Sequence, residues 1–273
     1  MRYSYHTHTV RCGHASGTEE EYAAAAEKNG LEVLGFSDHG PYVFPGGYYS
    51  DFRMRTQDAR DYCLALDALR RKLREDGSQL RIAIGYELEY YPRHFRQTLD
   101  LLARSGAGLP GGGPAAPEYL ILGQHYTDNE YDGEYSGAPT HSEATLASYV
   151  DSAVAGMETG CFTYMAHPDL LYYTGPEKIY ELHMRRLIDA AEQTGVPLEI
   201  NLLGLMEGRN YPRELFWSMA AESGCRVVLG CDSHQPRRVC DPEEIASGTA
   251  FALRFGLAVT DMLTLRDPLK GKV

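Results

Sequence analysis

His6 and His8 stand two residues apart, directly after the apolar run Tyr3-Ser4-Tyr5. Alternate residues of an extended strand point the same way, so both imidazoles can reach one point in space. The event recurs along the chain. His14 follows in Cys12-Gly13-His14, Asp38 and His39 in Phe36-Ser37-Asp38-His39, and Glu87 closes Gly85-Tyr86-Glu87. His125 stands in Gly123-Gln124-His125, His167 in Ala166-His167-Pro168, Asn201 in Glu199-Ile200-Asn201, and Asp232 and His234 in Cys231-Asp232-Ser233-His234. Seven of the 10 histidines thus terminate strand-like runs, while His94, His141 and His183 fall in helices or loops and are expected to carry no function. Imidazole and carboxylate are the ligand types that suit zinc, iron and manganese. Seven histidines with Glu87 and Asp232 are too many donors for one ion. A multinuclear centre of divalent ions is locally cationic, attracts phosphate and brings the pKa of a bridging water near neutrality, so hydrolysis of a phosphate ester is its natural use.

The elements that must position these groups follow from periodicity. Short β-type runs alternate with longer helical ones, the pattern of parallel βαβ units. Strands are expected at 3–5, 32–36, 80–86, 119–122, 161–166, 197–200 and 226–229. Thr18 and Glu21 form a capping box for a helix that Asn29-Gly30 stops. From Thr56 to Glu75, Ala59, Tyr62, Cys63, Leu66, Leu69 and Leu73 recur at helical spacing. Further helices are expected over about 142–158 and 177–193, from Pro212 to Gly224, and from Asp241 onward. Seven strands with intervening helices fit a distorted α/β barrel, (β/α)7, better than an open sheet. In such barrels the active site lies at the carboxyl ends of the strands, where the histidines and carboxylates fall. The Gly/Pro-rich stretch 106–117 reads as a surface excursion within one domain spanning 1–273, and 126–141 as a second long loop.

Bulk composition narrows the function classes. A hydrophobic content of 43% with 23% charged residues is ordinary for a soluble protein. The net charge of −12 argues against nucleic acid and anionic membrane surfaces as partners. The 6 cysteines show no C-x-x-C pair, no leader or membrane-length apolar stretch is visible, and a cytoplasmic setting is expected.

The motifs His6-Thr7-His8, Cys12-Gly13-His14, Ser37-Asp38-His39, Gly85-Tyr86-Glu87, His167-Pro168-Asp169 and Asp232-Ser233-His234 resemble, in order and spacing, the PHP family, named for polymerases and histidinol phosphatases. Phe52-Arg53-Met54-Arg55 and Glu199-Ile200-Asn201 look like its histidinol-phosphate phosphatase branch. The resemblance implies a distorted barrel of seven βα units holding three divalent ions (zinc, iron or manganese). One ion would take His6, His8, Glu87 and Asp232. Glu87 would bridge to a second, held by His125 and His167, and His14, His39 and His234 would hold the third. Asp38 and Asn201 would stand behind the ligands or face substrate, Glu89 would lie outside the ligand set, and His234 or a bound water would protonate the leaving group. Arg53, with Arg209 as second choice, is expected to clamp phosphate, since a guanidinium matches phosphate bidentately.

The implied activity is hydrolysis of L-histidinol phosphate in histidine biosynthesis by a monomer or small homo-oligomer. The segment Asn201 to Arg209 departs from that branch, which carries a threonine and an earlier arginine there. Another small phosphate monoester is therefore an alternative substrate. A nucleic-acid-associated module is a more remote reading, opposed by the acidic balance.

Overall fold

A computed structural model describes residues 1–260 and 262–272. Seven strands run in sequence order, every neighbouring pair parallel: β1 (Tyr3–Ser4), β2 (Val33–Phe36), β3 (Arg81–Leu88), β4 (Tyr119–Leu122), β5 (Tyr164–Met165), β6 (Leu198–Asn201) and β7 (Val227–Gly230). This is the distorted (β/α)7 barrel expected from the alternation. Its seam lies between β1 and β7. There Thr7 bridges Ser233 at the carboxyl rim, with His8 N–H donating to Ser233 O at 2.9 Å and Ser233 N–H to His6 O at 3.2 Å. At the opposite end the chain near residue 260 covers the seam: Val259 bridges Val227, and the Tyr3 hydroxyl donates to Thr260 O at 2.5 Å.

Side-chain alternation divides two cores. Leu34, Phe36, Ile82, Ile84, Leu120 and Leu122 point outward into the layer shared with the helices. Val33, Ala83, Tyr119, Ile121, Tyr164 and Val228 point inward and, with Tyr3, Tyr5 and Leu263, fill the barrel floor. The interior is narrow. A Cβ on Gly35 would come within 2.5 Å of the Tyr119 hydroxyl, so this strand must carry glycine for the ring to lie across the axis.

Among the described residues, eight α-helices surround the sheet: α1 (Glu19–Lys28), α2 (Ala59–Glu75), α3 (Pro92–Ser105), α4 (Glu143–Glu158), α5 (Glu177–Thr194), α6 (Leu202–Glu207), α7 (Glu214–Ala221) and α8 (Pro242–Arg254). The Thr18/Glu21 capping box is formed, and Ser142 and Asp241 cap α4 and α8. Two helices escaped the periodicity. In α3, Phe95, Leu99 and Leu102 do recur on one face behind Pro92. The single turn and a half of α6 is too short to show a period and exists because the Asn201 side chain accepts from Gly204 N–H at 2.8 Å. The strand expected over 161–166 keeps only Tyr164–Met165, since β6 meets it at one position. The 106–117 excursion folds back on α2, where Asp67 accepts from Gly111 N–H at 2.7 Å.

Candidate metal centre

Glu87, the last inward-facing residue of β3, sits at the middle of the carboxyl rim and is 1% exposed. Gly123, just past β4, makes room for it: a Cβ there would meet Glu87 Oε1 at 2.0 Å. The two carboxylate oxygens serve different neighbours. Oε2 lies 3.3 Å from His6 Nε2, 3.5 Å from His8 Nε2 and 3.2 Å from His39 Nδ1. Oε1 lies 2.9 Å from His167 Nε2 and 3.7 Å from His125 Nε2. Across from Glu87, Asp232 Oδ1 stands 3.4 Å from His6 Nε2 and 3.1 Å from His8 Nε2. A tetrahedral ion with bonds of 2.0–2.1 Å needs donors about 3.3 Å apart. The four separations among His6, His8, Glu87 and Asp232, 3.1–3.5 Å, have that size.

His14, His39 and His234 gather on the solvent side of this group. The His234 ring stacks on His8 at 4.1 Å and on His14 at 4.7 Å between centroids, and His39 lies 5.4 Å from His14. The His8–His39–His234 and Cys12–His14–His234 sets each place their donor atoms within 4.8 Å of one another. Cys12 is no natural thiolate, because burial pushes its pKa up and its sulfur donates to Thr9 O.

Behind the donors, several of the outer imidazole nitrogens meet a partner, although His167 Nδ1 has none. His6 Nδ1 meets Glu199 Oε2 at 2.8 Å, His125 Nδ1 meets Glu89 Oε1 at 2.8 Å, and His8 Nδ1 faces Asp38 Oδ1 at 3.5 Å. His14 and His234 donate from Nδ1 to the carbonyls of Cys12 and Asp232, each at 3.0 Å. Such contacts turn Nε2 inward as a lone pair. The buried Nε2 atoms of His8 and His234 have no hydrogen-bond partner, an arrangement that is costly in a protein interior unless something ligates them. His167 (φ 29°) and Asp232 (φ 48°) occupy left-handed backbone conformations that non-glycine residues seldom adopt, and such strain clusters at functional sites. The donor set therefore fits divalent transition-metal ions.

Protonation divides the histidines. Burial opposes charge on His6 and His8, but carboxylates outweigh it: Glu199, Asp232 and Glu87 hold His6 well above its usual value, and Asp232 and Asp38 raise His8 to about 9. Burial lowers His39 and His14, with His8 among the groups adding to the effect, and brings His234 to about 3. Glu87 and Asp232 stay well below the usual carboxylate range despite burial, because the imidazoles surround them.

The centre opens into a cleft of about 540 Å³ lined by His14, His39, Phe52, Tyr126, Tyr211 and Arg209, among others. One expectation needs correction against this geometry, and three that the sequence left open are narrowed by it. Arg53 does not reach the cleft: it is 1% exposed, and its guanidinium is consumed by Glu89 (2.8 Å), Glu130 (2.9 Å) and the Gly40 carbonyl. Asn201 does not face substrate. It donates to Glu199 Oε1 at 2.7 Å and Asp232 Oδ2 at 3.1 Å, so it steadies the carboxylates. Asp38 is buried beneath the histidines, where it accepts from Thr9 and from His39 N–H and faces His8 Nδ1 at 3.5 Å, away from the cleft. His234 carries its ring proton on Nδ1, leaving Nε2 no proton to give, so it suits ligation and not protonation of a leaving group.

Arg209 does line the cleft, donating to Glu207 at 2.7 and 3.0 Å and to the Tyr211 hydroxyl at 2.9 Å. Arg238, which the sequence did not single out, stands on the same rim and reaches Glu207 at 3.0 Å and Glu244 at 2.9 Å. Glu199 was also missed as a working residue, although it shares the inward face of β6 with Asn201. His94 and His183 pair with Tyr131 and Glu143 away from the cleft, and His141 is exposed.

Residues 4–202 match the family described as PHP domain. The chain belongs to the PHP family. Among curated relatives, a Deinococcus radiodurans protein named "probable histidinol-phosphatase" is 29% identical over 247 residues, covering 86% of each chain. A histidinol-phosphatase of Bacillus subtilis is 24% identical, covering 84% of this chain and 92% of its own. The PHP fold is shared with the histidinol phosphate phosphatase of Lactococcus lactis, solved with zinc, L-histidinol and phosphate: TM-score 0.68, 18% identity, coverage 100% and 99%. Among the described residues of this PHP chain, no helix is long and apolar enough to cross a membrane.

Proposed function

We propose that this PHP chain is a metal-dependent phosphomonoesterase that hydrolyses L-histidinol phosphate to L-histidinol and phosphate. The observation that carries the reading is a buried cluster of imidazoles and carboxylates, with His6, His125, His14 and His234 anchored from behind, opening into a cleft with arginines on its rim. Full-length relatives named histidinol-phosphatase support the substrate.

His6, His8, Glu87 and Asp232 would hold one ion, Glu87, His125 and His167 a second, and His14, His39 and His234 a third. Bound divalent cations supply Lewis acidity that activates water near neutral pH and offsets phosphate charge. The chain's own residues do the rest. Arg209 and Arg238 bind the phosphate oxygens from the rim, exchanging part of their pairing with Glu207 for the more highly charged ligand. Phe52, Tyr126 and Tyr211 wall the cleft and orient the organic portion of the ester. Glu199, Asp38 and Glu89 keep the imidazoles in the tautomer that presents Nε2 inward.

The test is phosphate release from a panel of monoesters by protein loaded with zinc, manganese or iron. Histidinol phosphate should exceed sugar and nucleoside monophosphates in kcat/KM by at least about 100-fold, roughly the discrimination a few lost polar contacts produce. Comparable rates across the panel would replace this substrate with another small phosphate monoester and leave the chemistry standing. No release from any ester would reject the phosphatase reading.

A further inference from the structure

Arg53 lies at the junction of three segments. One arm of its guanidinium holds Glu89, at the end of β3, at 2.8 Å, and Glu89 in turn holds His125 Nδ1 at 2.8 Å. The rest grips Glu130, from the loop that follows β4, through Nε at 2.9 Å and through a second contact to the other carboxylate oxygen. That loop is a closed excursion. It leaves at His125 and returns at Ser136, whose N–H donates to His125 O at 2.8 Å. Tyr126 and Tyr135 bridge across it, and both line the cleft. Its tip is Glu130, which also accepts from Ser50, from the Tyr91 hydroxyl at 3.3 Å and, through its carbonyl, from the Tyr48 hydroxyl at 2.8 Å. One buried side chain therefore secures both the tip of a cleft wall and the imidazole at its neck.

The charges make the arrangement conditional. One guanidinium faces two carboxylates, all three nearly inaccessible to water. An unbalanced buried negative charge is costly unless a positive charge stands nearby. A cation held by His125, His167 and Glu87 would supply that charge through His125. We propose that Arg53 and Glu130 are positioning residues that couple occupancy of the His125–His167–Glu87 position to docking of the 126–136 loop against the cleft. The inference rests on the metal reading given above. Linkage makes it reciprocal: the ion favours the docked loop, and the docked loop favours the ion.

The experiment uses full-length protein and zinc as the probe, with two readouts that do not depend on turnover. Zinc content is measured after dialysis against a graded chelator, and hydrogen exchange of residues 126–136 is followed with and without zinc. Wild type should slow exchange in the loop when zinc is added. Arg53→Lys, which keeps a charge but loses the fork, should weaken one zinc equivalent by about 10- to 100-fold, leave the others in place and abolish zinc-dependent protection of the loop. Glu130→Gln, nearly isosteric, should do the same to a smaller degree and serves if Arg53→Lys does not fold. Variants that keep every equivalent and the wild-type zinc response would overturn the proposal alone, as would loss of all equivalents together in a folded variant. A wild-type chain that binds no zinc would overturn the metal reading and this coupling with it.

Discussion

Glu199 Oε2 lies 2.8 Å from His6 Nδ1, with neither side chain exposed to solvent. The pair spans 193 residues of sequence, and it decides which nitrogen of His6 faces Glu87 and Asp232. Glu199→Ala should lower kcat about 10- to 100-fold and reduce metal content, since outer partners of ligating histidines carry effects of that order. Steady-state kinetics with metal analysis on one preparation checks it. Wild-type kcat and metal content in the variant would remove Glu199 from the machinery.

Gly123 tests the central carboxylate without altering a polar group. Its missing Cβ is what lets Glu87 Oε1 turn toward His167 and His125. Gly123→Ala should displace Glu87 and cost at least about 100-fold in kcat, the scale associated with misplacing a reacting group by an ångström. A fully active, fully loaded Gly123→Ala would show that Glu87 does not need its observed position.

Arg209 and Arg238 predict a different kinetic signature. Neither touches the histidine cluster, and both line the cleft, so each alanine variant should raise KM for the phosphate ester while leaving metal content unchanged. A hydrogen bond to a charged group contributes about 1.5–3 kcal/mol, which corresponds to roughly 10- to 100-fold in kcat/KM. Because Glu207 pairs with both, Glu207→Gln should loosen the rim and change KM in the same assays.

Metal binding should release protons. His8, with its pKa raised to about 9 from 6.5, is largely protonated at pH 7 in the metal-free chain, and the surrounding carboxylates push His6 in the same direction. For His8, the stability gained from this protonation is complete below about pH 6.5 and fades as pH rises through 9. Ligation needs the neutral imidazole, so apparent zinc affinity should climb with pH across the same window. Calorimetric titration at pH 7 in buffers of differing ionisation enthalpy should register proton release. An affinity independent of pH between 6.5 and 9 would contradict the raised value.

Much of the fold was legible because local rules and tertiary structure agree. The Thr18 capping box, the apolar stripe of α2, and the β runs bounded by turn residues all carry their geometry in short stretches of sequence. The histidines could be read as one group because parallel strands deliver their carboxyl ends to one rim, whatever the details of packing. What escaped needed distance information. Arg53 had the right chemistry for phosphate, yet nothing in Phe52-Arg53-Met54 announces that Glu89 and Glu130 will close around it.

The order of residue types along this chain was therefore sufficient to determine the barrel and the rim at which the histidines and carboxylates gather, since each depends on periodicities of two and 3.6 residues and on connections between neighbouring elements. Which nitrogen each imidazole presents, which arginine meets the cleft, and which carboxylate stands behind which histidine were decided only when the chain closed. Those properties depend on contacts such as His6–Glu199 and Arg53–Glu130, between residues 193 and 77 positions apart, and on burial that makes each unpaired charge costly.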